Sequence, residues 1–221
     1  MAVKEFFMKE LCNRDEDTLH VSVPSDGSRE LVEKFRHKFV REARMIAGLN
    51  HEHIVKIHDV FEENGTAYYV MENLPKGSLS NLVQTDGKLP ESVAISYIRE
   101  IASALEYLHH RSILHLDIKP ANIMLDEDGR PVLIDFGISK HYDGTGSQTS
   151  STPVGISNGY APLEQYNQSD IRTFSPATDI YSLGATLYYL LRGQTPPSAH
   201  DVFESGLPPI PGISKTVSEV I

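Results

Sequence analysis

The hydrophobic pattern changes its period near residues 72–77, and this change limits the fold more than any other feature. Before it, two apolar and β-branched runs, Ile54–Phe61 and Thr66–Met71, flank the dipeptide Asn64-Gly65. Both residue types tolerate the positive φ angles of a tight turn, so the pattern predicts a hairpin. After the change, apolar residues recur at helical spacing. The chain is therefore predicted to be α+β, with two lobes joined near residues 72–77.

The smaller lobe is predicted to contain one further strand and one helix. The strand is predicted within Met1–Met8, and a polar stretch with a turn at Pro24–Gly27 covers Asn13–Ser28. An apolar stripe from Arg29 then predicts an amphipathic helix that stops near Gly48.

The larger lobe is predicted to be mainly helical. Its predicted elements are a short helix from the Ser78 cap to Gln84, a long helix from Pro90 to about His109–Arg111, a hairpin of Ile123–Leu125 with Val132–Ile134, a helix over Ala177–Arg192 begun by Ser175-Pro176, and a helix from Lys215 to Ile221. Residues 139–160 and 196–212 are predicted to be irregular.

Charge excludes several classes of partner. The chain has 221 residues with 20 basic and 30 acidic side chains; residues 1–50 are balanced, so the net charge of −10 comes from residues 51–221. Without a basic face, we expect neither nucleic-acid binding nor binding to anionic membranes. No segment is long and apolar enough to span a bilayer, and the single cysteine, Cys12, suits a reducing compartment. We expect a cytoplasmic protein in which Cys12 is inert.

The residues most typical of chemistry lie in His115–Asn122 and Ile134–Gly137. Asp135 follows a predicted strand and precedes Phe-Gly, where its carboxylate could bind a hard cation such as Mg²⁺, with Asn122 as a neutral oxygen ligand. Asp117 could accept a proton from a hydroxyl, and Lys119 could offset negative charge on a transferring group. Together these groups suit phosphoryl transfer.

Several motifs in this order resemble the protein kinases of the eukaryotic-like serine/threonine family, including its bacterial members. They are Ala2-Val3-Lys4, Glu42, Met71-Glu72-Asn73-Leu74, the loop His115-Leu116-Asp117 with Lys119 and Asn122, Asp135-Phe136-Gly137, Tyr160–Gln165 and Asp179–Gly184. The resemblance implies a two-lobed protein-kinase-like fold, with a small lobe of antiparallel sheet plus one helix and a larger, mainly helical lobe.

The resemblance also implies roles for individual residues, with ATP and Mg²⁺ as cofactors and Ser or Thr hydroxyls of a protein as acceptors. Asp117 would be the base, Lys119 would contact the transferring phosphate, and Asn122 and Asp135 would hold Mg²⁺. Lys4 would grip the ATP phosphates and pair with Glu42, which makes both part of the catalytic set. Adenine would contact Ala2, Met71, Glu72, Leu74 and Met124. A hydroxyl at Ser157 would bond both Asp117 and Lys119, as in the serine/threonine-specific pattern.

The sequence departs from the family pattern at both ends and at two internal positions. No glycine-rich phosphate loop precedes Lys4, Leu116 replaces an arginine that receives an activation-segment phosphate, and Leu163 replaces a proline. We expect a kinase-domain fragment over 1–221, with a partial small lobe at 1–72, a hinge region at 73–77 and a partial large lobe at 78–221. We expect weak or no activity from these residues alone.

Two other functions remain open. The first is a pseudokinase that serves as a scaffold or binding module, although such proteins typically lose one of the residues that are present here. The second is a small-molecule phosphotransferase, against which the segment from Ser157 to Glu164 favours a peptide substrate. The hydroxyl cluster at Thr145–Thr152 is a candidate for phosphorylation, but Leu116 argues against a switch role there.

Overall fold

The computed structural model describes residues 1–136, 140–141, 156–166 and 174–221, which divide into two compact units. Unit 1 comprises Met1–Asn50 and Ile54–Asn73, and unit 2 comprises His51–His53 and Leu74–Ile221. Unit 1 is a small antiparallel sheet with one long helix, and unit 2 is mainly helical, so the predicted α+β class is confirmed.

Unit 1 is built on a three-stranded antiparallel sheet in the order β1-β5-β4. Its strands are β1 (Ala2–Glu5), β4 (Ile57–Glu63) and β5 (Thr66–Met71), and a separate two-stranded hairpin is formed by β2 (Asn13–Arg14) and β3 (Val21–Ser22). Asn64 and Gly65 have φ angles of 53° and 72°, and Glu63 pairs with Thr66 across them. The predicted tight turn is therefore confirmed.

Helix α1 (Asp26–Ala47) packs on the sheet through one face. Its buried residues Val32, Val40, Ala43 and Ile46 recur at helical spacing. Phe39 also stacks on Tyr69 of β5, with ring centroids 5.2 Å apart. The helix begins at Asp26 rather than Arg29, because Ser25 is extended as the N-cap and an aspartate in the first turn suits the helix dipole.

The stretch predicted to be polar and irregular contains the β2–β3 hairpin and part of a core. Cys12 is 4% exposed and packs with Val21 and Val32. Val21 N also donates to Asn64 O at 2.7 Å, which joins this hairpin to the turn before β5. Tertiary packing therefore buries Cys12 and part of a stretch that was predicted to be polar.

Unit 2 contains the four predicted helices, with small changes at their ends. They are α2 (Leu79–Asp86), α3 (Glu91–His109), α5 (Pro176–Arg192) and α7 (Lys215–Ser218), and the described residues add two short helices that were not predicted, α4 (Leu163–Tyr166) and α6 (Ala199–Ser205). Ser78 caps α2 by accepting from Asn81 N, as predicted. The prediction of irregular chain over 196–212 is wrong at α6, where Ser198 and Asp201 form a capping box. Helix α7 is shorter than predicted.

Short strands in unit 2 flank the loop that carries the candidate site. They are β6 (Ile113–Leu114), β7 (Ile123–Leu125), β8 (Pro131–Leu133) and β9 (Lys140–His141). The β7–β8 hairpin lies one residue earlier on its second strand than predicted, and the β6–β9 pair falls partly within the predicted loop over 139–160. Among the described residues, no helix is both long and apolar enough to cross a membrane.

Candidate active site

A loop between β6 and β7 carries the densest set of polar contacts in unit 2. Pro120 begins a 3-10 helix at Pro120–Asn122, because its fixed φ suits a first helical position and it needs no hydrogen-bond acceptor. The turn brings the side chain of Asn122 back toward residue 117. Asn122 Nδ2 donates to the backbone oxygen of Asp117 at 2.9 Å and to its Oδ2 at 2.8 Å.

The carboxylate of Asp117 is bound on both oxygens. Lys119 Nζ donates to Oδ1 at 3.0 Å and to Oδ2 at 2.8 Å. Ser157 Oγ donates to Oδ1 at 2.6 Å and accepts from Lys119 Nζ at 3.0 Å. This closed triangle of contacts shows the two bonds predicted for Ser157. It fixes an acid, an amine and a hydroxyl at one partly exposed position of unit 2.

His115 supports the loop from within the core. Its ring is fully buried and lies 4.7 Å from the Phe136 ring, centroid to centroid. Asp117 N donates to Nδ1 at 3.2 Å, so Nε2 carries the proton and donates to Ile134 O at 3.1 Å. Burial lowers the pKa of His115, so the ring is neutral. This agrees with a packed, hydrogen-bonded histidine rather than a base.

The buried carboxylate of Asp179, at the start of α5, holds the beginning of the loop. Its Oδ2 accepts from His115 N at 3.0 Å and from His109 Nε2 at 2.8 Å, while Oδ1 accepts from Leu116 N at 2.8 Å. Asp179 therefore links α3, the loop and α5 within unit 2. Because a buried carboxylate must be hydrogen-bonded, this arrangement also satisfies Asp179 itself.

Asn122 and Asp135 are brought together by the β7–β8 hairpin. Ile134 N donates to Asn122 O at 2.9 Å, and Asp135 is the next residue, with a φ of 61°. A carboxylate and an amide oxygen are hard donors that fit Mg²⁺, which keeps water and phosphate oxygens as its other ligands. The part of the chain that the structure describes holds no cluster of three or more His, Cys, Asp or Glu suited to a metal. Any Mg²⁺ site here would therefore need such outside ligands.

In unit 1, the structure places Glu42 beside a lysine that sequence reasoning missed. Lys38 Nζ lies 3.3 Å from Glu42 Oε1, and both side chains are largely buried. Burial raises the pKa of Glu42 to about 7, against the opposing charges of Lys38, Arg41 and Lys4. Lys4 lies in β1 opposite Tyr69, with Nζ 6.0 Å from the ring centroid. The i,i+4 spacing of Lys38 and Glu42 was a visible signal for this pair.

The residues predicted to contact adenine lie in two places. In unit 1, Ala2 is the register partner of Met71, and Glu72 N donates to Lys56 O at 3.0 Å. In unit 2, Leu74 is buried, and Met124 of β7 forms a bridge with Ser78. Gly137 and the Thr145–Thr152 cluster lie outside the described residues.

Two further residues near the site have roles that the sequence did not reveal. Glu164 accepts from Thr178 Oγ1 at 2.8 Å. Gln165 is 1% exposed, and its Nε2 donates to Leu116 O at 2.9 Å. A glutamine in a polar segment is not expected to be buried, so the contact between Gln165 and Leu116 could not be predicted from the sequence.

Comparison with known proteins identifies the family of the chain. The family model described as "Protein kinase domain" matches residues 12–211. The chain is 34% identical over 189 residues to the serine/threonine-protein kinase RUNKEL of Arabidopsis thaliana, which covers 82% of this chain and 14% of the relative. It is 37% identical over 166 residues to the serine/threonine-protein kinase PknB of Mycolicibacterium smegmatis, and this match covers 73% of this chain and 26% of the relative.

The chain belongs to the protein kinase family. A solved structure, "PpkA-294 apo form", matches with a TM-score of 0.78 and 29% identity over 98% of this chain and 77% of the other. The predicted resemblance to protein kinases and the kinase-like fold are thus confirmed. The chain spans about a seventh and a quarter of the length of the two curated kinases named above.

Proposed function

We propose that this kinase transfers the γ-phosphate of ATP to Ser or Thr hydroxyls of a protein, with Asp117 as the base. The observation that carries this proposal is the triangle of Asp117, Lys119 and Ser157. An acceptor hydroxyl near Asp117 could lose its proton to the carboxylate. Its oxygen would attack the γ-phosphorus as the bond to the ADP oxygen breaks.

The neighbouring groups supply charge and position. Lys119 neutralises negative charge on the transferring phosphoryl group while it holds Asp117 in place. The amide of Asn122 fixes Asp117 Oδ2, which leaves its own oxygen for the cation. Mg²⁺ held by Asn122 and Asp135 would neutralise phosphate oxygens. Lys4 and Glu42 complete the proposed catalytic set, and Ala2, Met71, Glu72, Leu74 and Met124 the proposed adenine contacts.

The proposal is tested with Asp117→Asn in the full-length protein. The amide keeps the size of the side chain but cannot take the proton, so kcat should fall by about 10²- to 10⁴-fold. Phosphate transfer from radiolabelled ATP to Ser- and Thr-containing peptides measures the effect. Asp128→Asn is the matched control, since Asp128 is exposed in the β7–β8 turn and pairs with Arg130.

The same experiment separates an enzyme from a binding module. Equal transfer by wild type and Asp117→Asn would contradict the role of Asp117. Nucleotide binding without transfer by the wild-type protein would favour the scaffold function instead.

A further inference from the structure

The backbone at Leu116 is held in a conformation that leucine rarely adopts. Its φ angle is 65°, in the left-handed region where a Cβ crowds the backbone. The side chain is only 2% exposed and carries no charge. Such a conformation persists only where the surrounding structure determines it, and Leu116 directly precedes Asp117.

The peptide group between Leu116 and Asp117 is fixed at both of its polar atoms. Gln165 Nε2 donates to the carbonyl oxygen of Leu116 at 2.9 Å. On the other side of the same peptide plane, Asp117 N donates to His115 Nδ1 at 3.2 Å. These two bonds fix the backbone on the N-terminal side of Asp117, and Lys119, Asn122 and Ser157 hold its carboxylate directly. Both sets of bonds together determine where the carboxylate lies.

Gln165 belongs to the chain segment that also carries Ser157. Tyr160 N and Ala161 N both donate to Ser157 O at 2.9 Å, and Gln165 N donates to Pro162 O at 3.0 Å. This compact segment, residues 157–165, therefore makes two hydrogen bonds at or next to Asp117. Ser157 bonds its carboxylate, and Gln165 bonds the peptide group that precedes it.

We propose that Gln165 is a positioning residue for Asp117: its buried amide fixes the Leu116–Asp117 peptide and so couples the segment 157–165 to the catalytic carboxylate. It acts through Leu116, and its side chain is buried rather than open to a ligand. Removal of the amide donor leaves the buried carbonyl of Leu116 without that hydrogen bond, which is costly. The proposal rests on the proposed function of Asp117.

The first test is Gln165→Met, which keeps the length of the side chain and removes the donor. We expect kcat to fall by about 10- to 100-fold, because small displacements of a catalytic group have effects of this size. The KM for ATP should stay within about twofold of wild type, since no nucleotide contact is altered. Gln84→Met is the matched control, because Gln84 is an exposed helical glutamine that bonds only Ser80 among the described contacts.

A readout independent of activity keeps the two proposals distinguishable. In Gln165→Met, hydrogen exchange at the Leu116 and Asp117 amides should become faster than in wild type and in the control. A wild-type protein without phosphate transfer would overturn the proposed function, while the exchange data would still test the positioning. Unchanged exchange, or unchanged kcat per folded molecule, would overturn the role of Gln165.

A second variant, Gln165→Glu, covers the case in which the methionine variant does not fold. An ionised carboxylate cannot donate to Leu116 O, but a protonated one can, and burial favours the protonated form. The loss of kcat relative to wild type should therefore shrink as the pH falls from 8 to 6. Dividing the kcat of the variant by the kcat of wild type at each pH removes effects common to both proteins, including those of the neighbouring groups Asp117, His115, Glu164 and Asp179. If the ratio of the Gln165→Glu kcat to the wild-type kcat does not change with pH, the proposal is contradicted.

Discussion

Ser157 shows how a single hydroxyl can complete the site. Its Oγ bonds Asp117 and Lys119 at 2.6 Å and 3.0 Å, and both partners are charged groups. We expect Ser157→Ala to lower kcat/KM by about 10- to 100-fold, since a hydrogen bond to a charged group contributes about 1.5–3 kcal/mol. Steady-state kinetics with a Ser peptide measures this.

Two further variants test the interpretation of Ser157. Ser157→Thr keeps the hydroxyl and should retain most of the activity. Ser96→Ala removes an exposed serine hydroxyl that bonds Glu100 and should have no effect. If Ser157→Ala is as active as Ser96→Ala, the hydroxyl has no catalytic importance.

The raised pKa of Glu42 predicts that the stability of the protein depends on pH. Its pKa is raised to about 7, above the ordinary value of 4.5, chiefly by burial. The folded state therefore binds more protons than the unfolded state between these values, and stability falls as the pH rises through them. We expect the unfolding free energy of wild type, relative to Glu42→Gln, to fall between pH 5 and pH 8. The decrease should not exceed about 3 kcal/mol, at about 1.4 kcal/mol per pH unit.

Urea unfolding at several pH values measures this difference. Glu30→Gln is the control, because Glu30 is an exposed glutamate on the same helix. The raised pKa of Glu42 would be contradicted if the difference in unfolding free energy between wild type and Glu42→Gln did not change with pH. It would also be contradicted if wild type became more stable relative to Glu42→Gln as the pH rises.

At the scale of elements, long periodic segments were predicted well and short ones were not. Helices α3 and α5 lie within one or two residues of the predicted bounds, because their apolar stripes and Ser or Pro starts are local signals. The β2–β3 hairpin and the helices α4 and α6 were not predicted. Each is short, and the hairpin is stabilised by burial of Cys12 and Val21 against Val32 of α1.

The turn between β4 and β5 gives a prediction at this scale. A Cβ at Gly65 would lie 2.3 Å from Val21 O, which is a steric clash. A side chain there would also be strained by the positive φ of 72°. We expect Gly65→Ala to destabilise the protein more than Gly193→Ala does. The φ at Gly193 is 75°, but its nearest contact would be an ordinary 3.5 Å. Left-handed strain alone costs about 1–3 kcal/mol.

Thermal or urea unfolding of both glycine variants provides the comparison. Because their φ angles match, the excess loss at Gly65 measures the contact between the turn and the β2–β3 hairpin. If both variants lose the same stability, the β2–β3 hairpin can move away from the added Cβ without a measurable loss of free energy.

At the scale of the whole molecule, the net charge of −10 did not reveal a site for anionic phosphates. If the proposed function is right, ATP with Mg²⁺ should stabilise the folded chain, by about 2.7 kcal/mol at a ligand concentration 100 times Kd. The stabilisation should require Mg²⁺ and should weaken in Asp135→Asn, which removes a proposed ligand but tolerates a φ of 61°. Differential scanning fluorimetry measures it.

Asp128→Asn serves as the control for this measurement too, since it removes an exposed carboxylate from the turn of the β7–β8 hairpin, which Asp135 follows. Equal shifts in Asp135→Asn and wild type would contradict a role for Asp135 in holding the cation. A shift with ATP that does not depend on Mg²⁺ would argue against the proposed metal site as a whole.

The sequence by itself determined the family, the α+β class and the position of the main elements. These depend on local information: apolar periodicity, the Asn64-Gly65 turn, the Ser78 cap, and motifs whose residue types and spacing can be read along the chain. The pairing of Ser157 with Asp117 also followed from a motif, because both residues occupy positions that the family pattern names.

The tertiary structure alone decided the contacts between residues distant in sequence that no motif describes. Gln165 reaches Leu116 across 49 residues, and burial of Glu42 beside Lys38 raises a pKa that depends on the surrounding packing. Desolvation and hydrogen bonding depend on which groups surround an atom in three dimensions. A local sequence pattern does not contain this information, so only the folded chain shows how the loop that carries Asp117 is held.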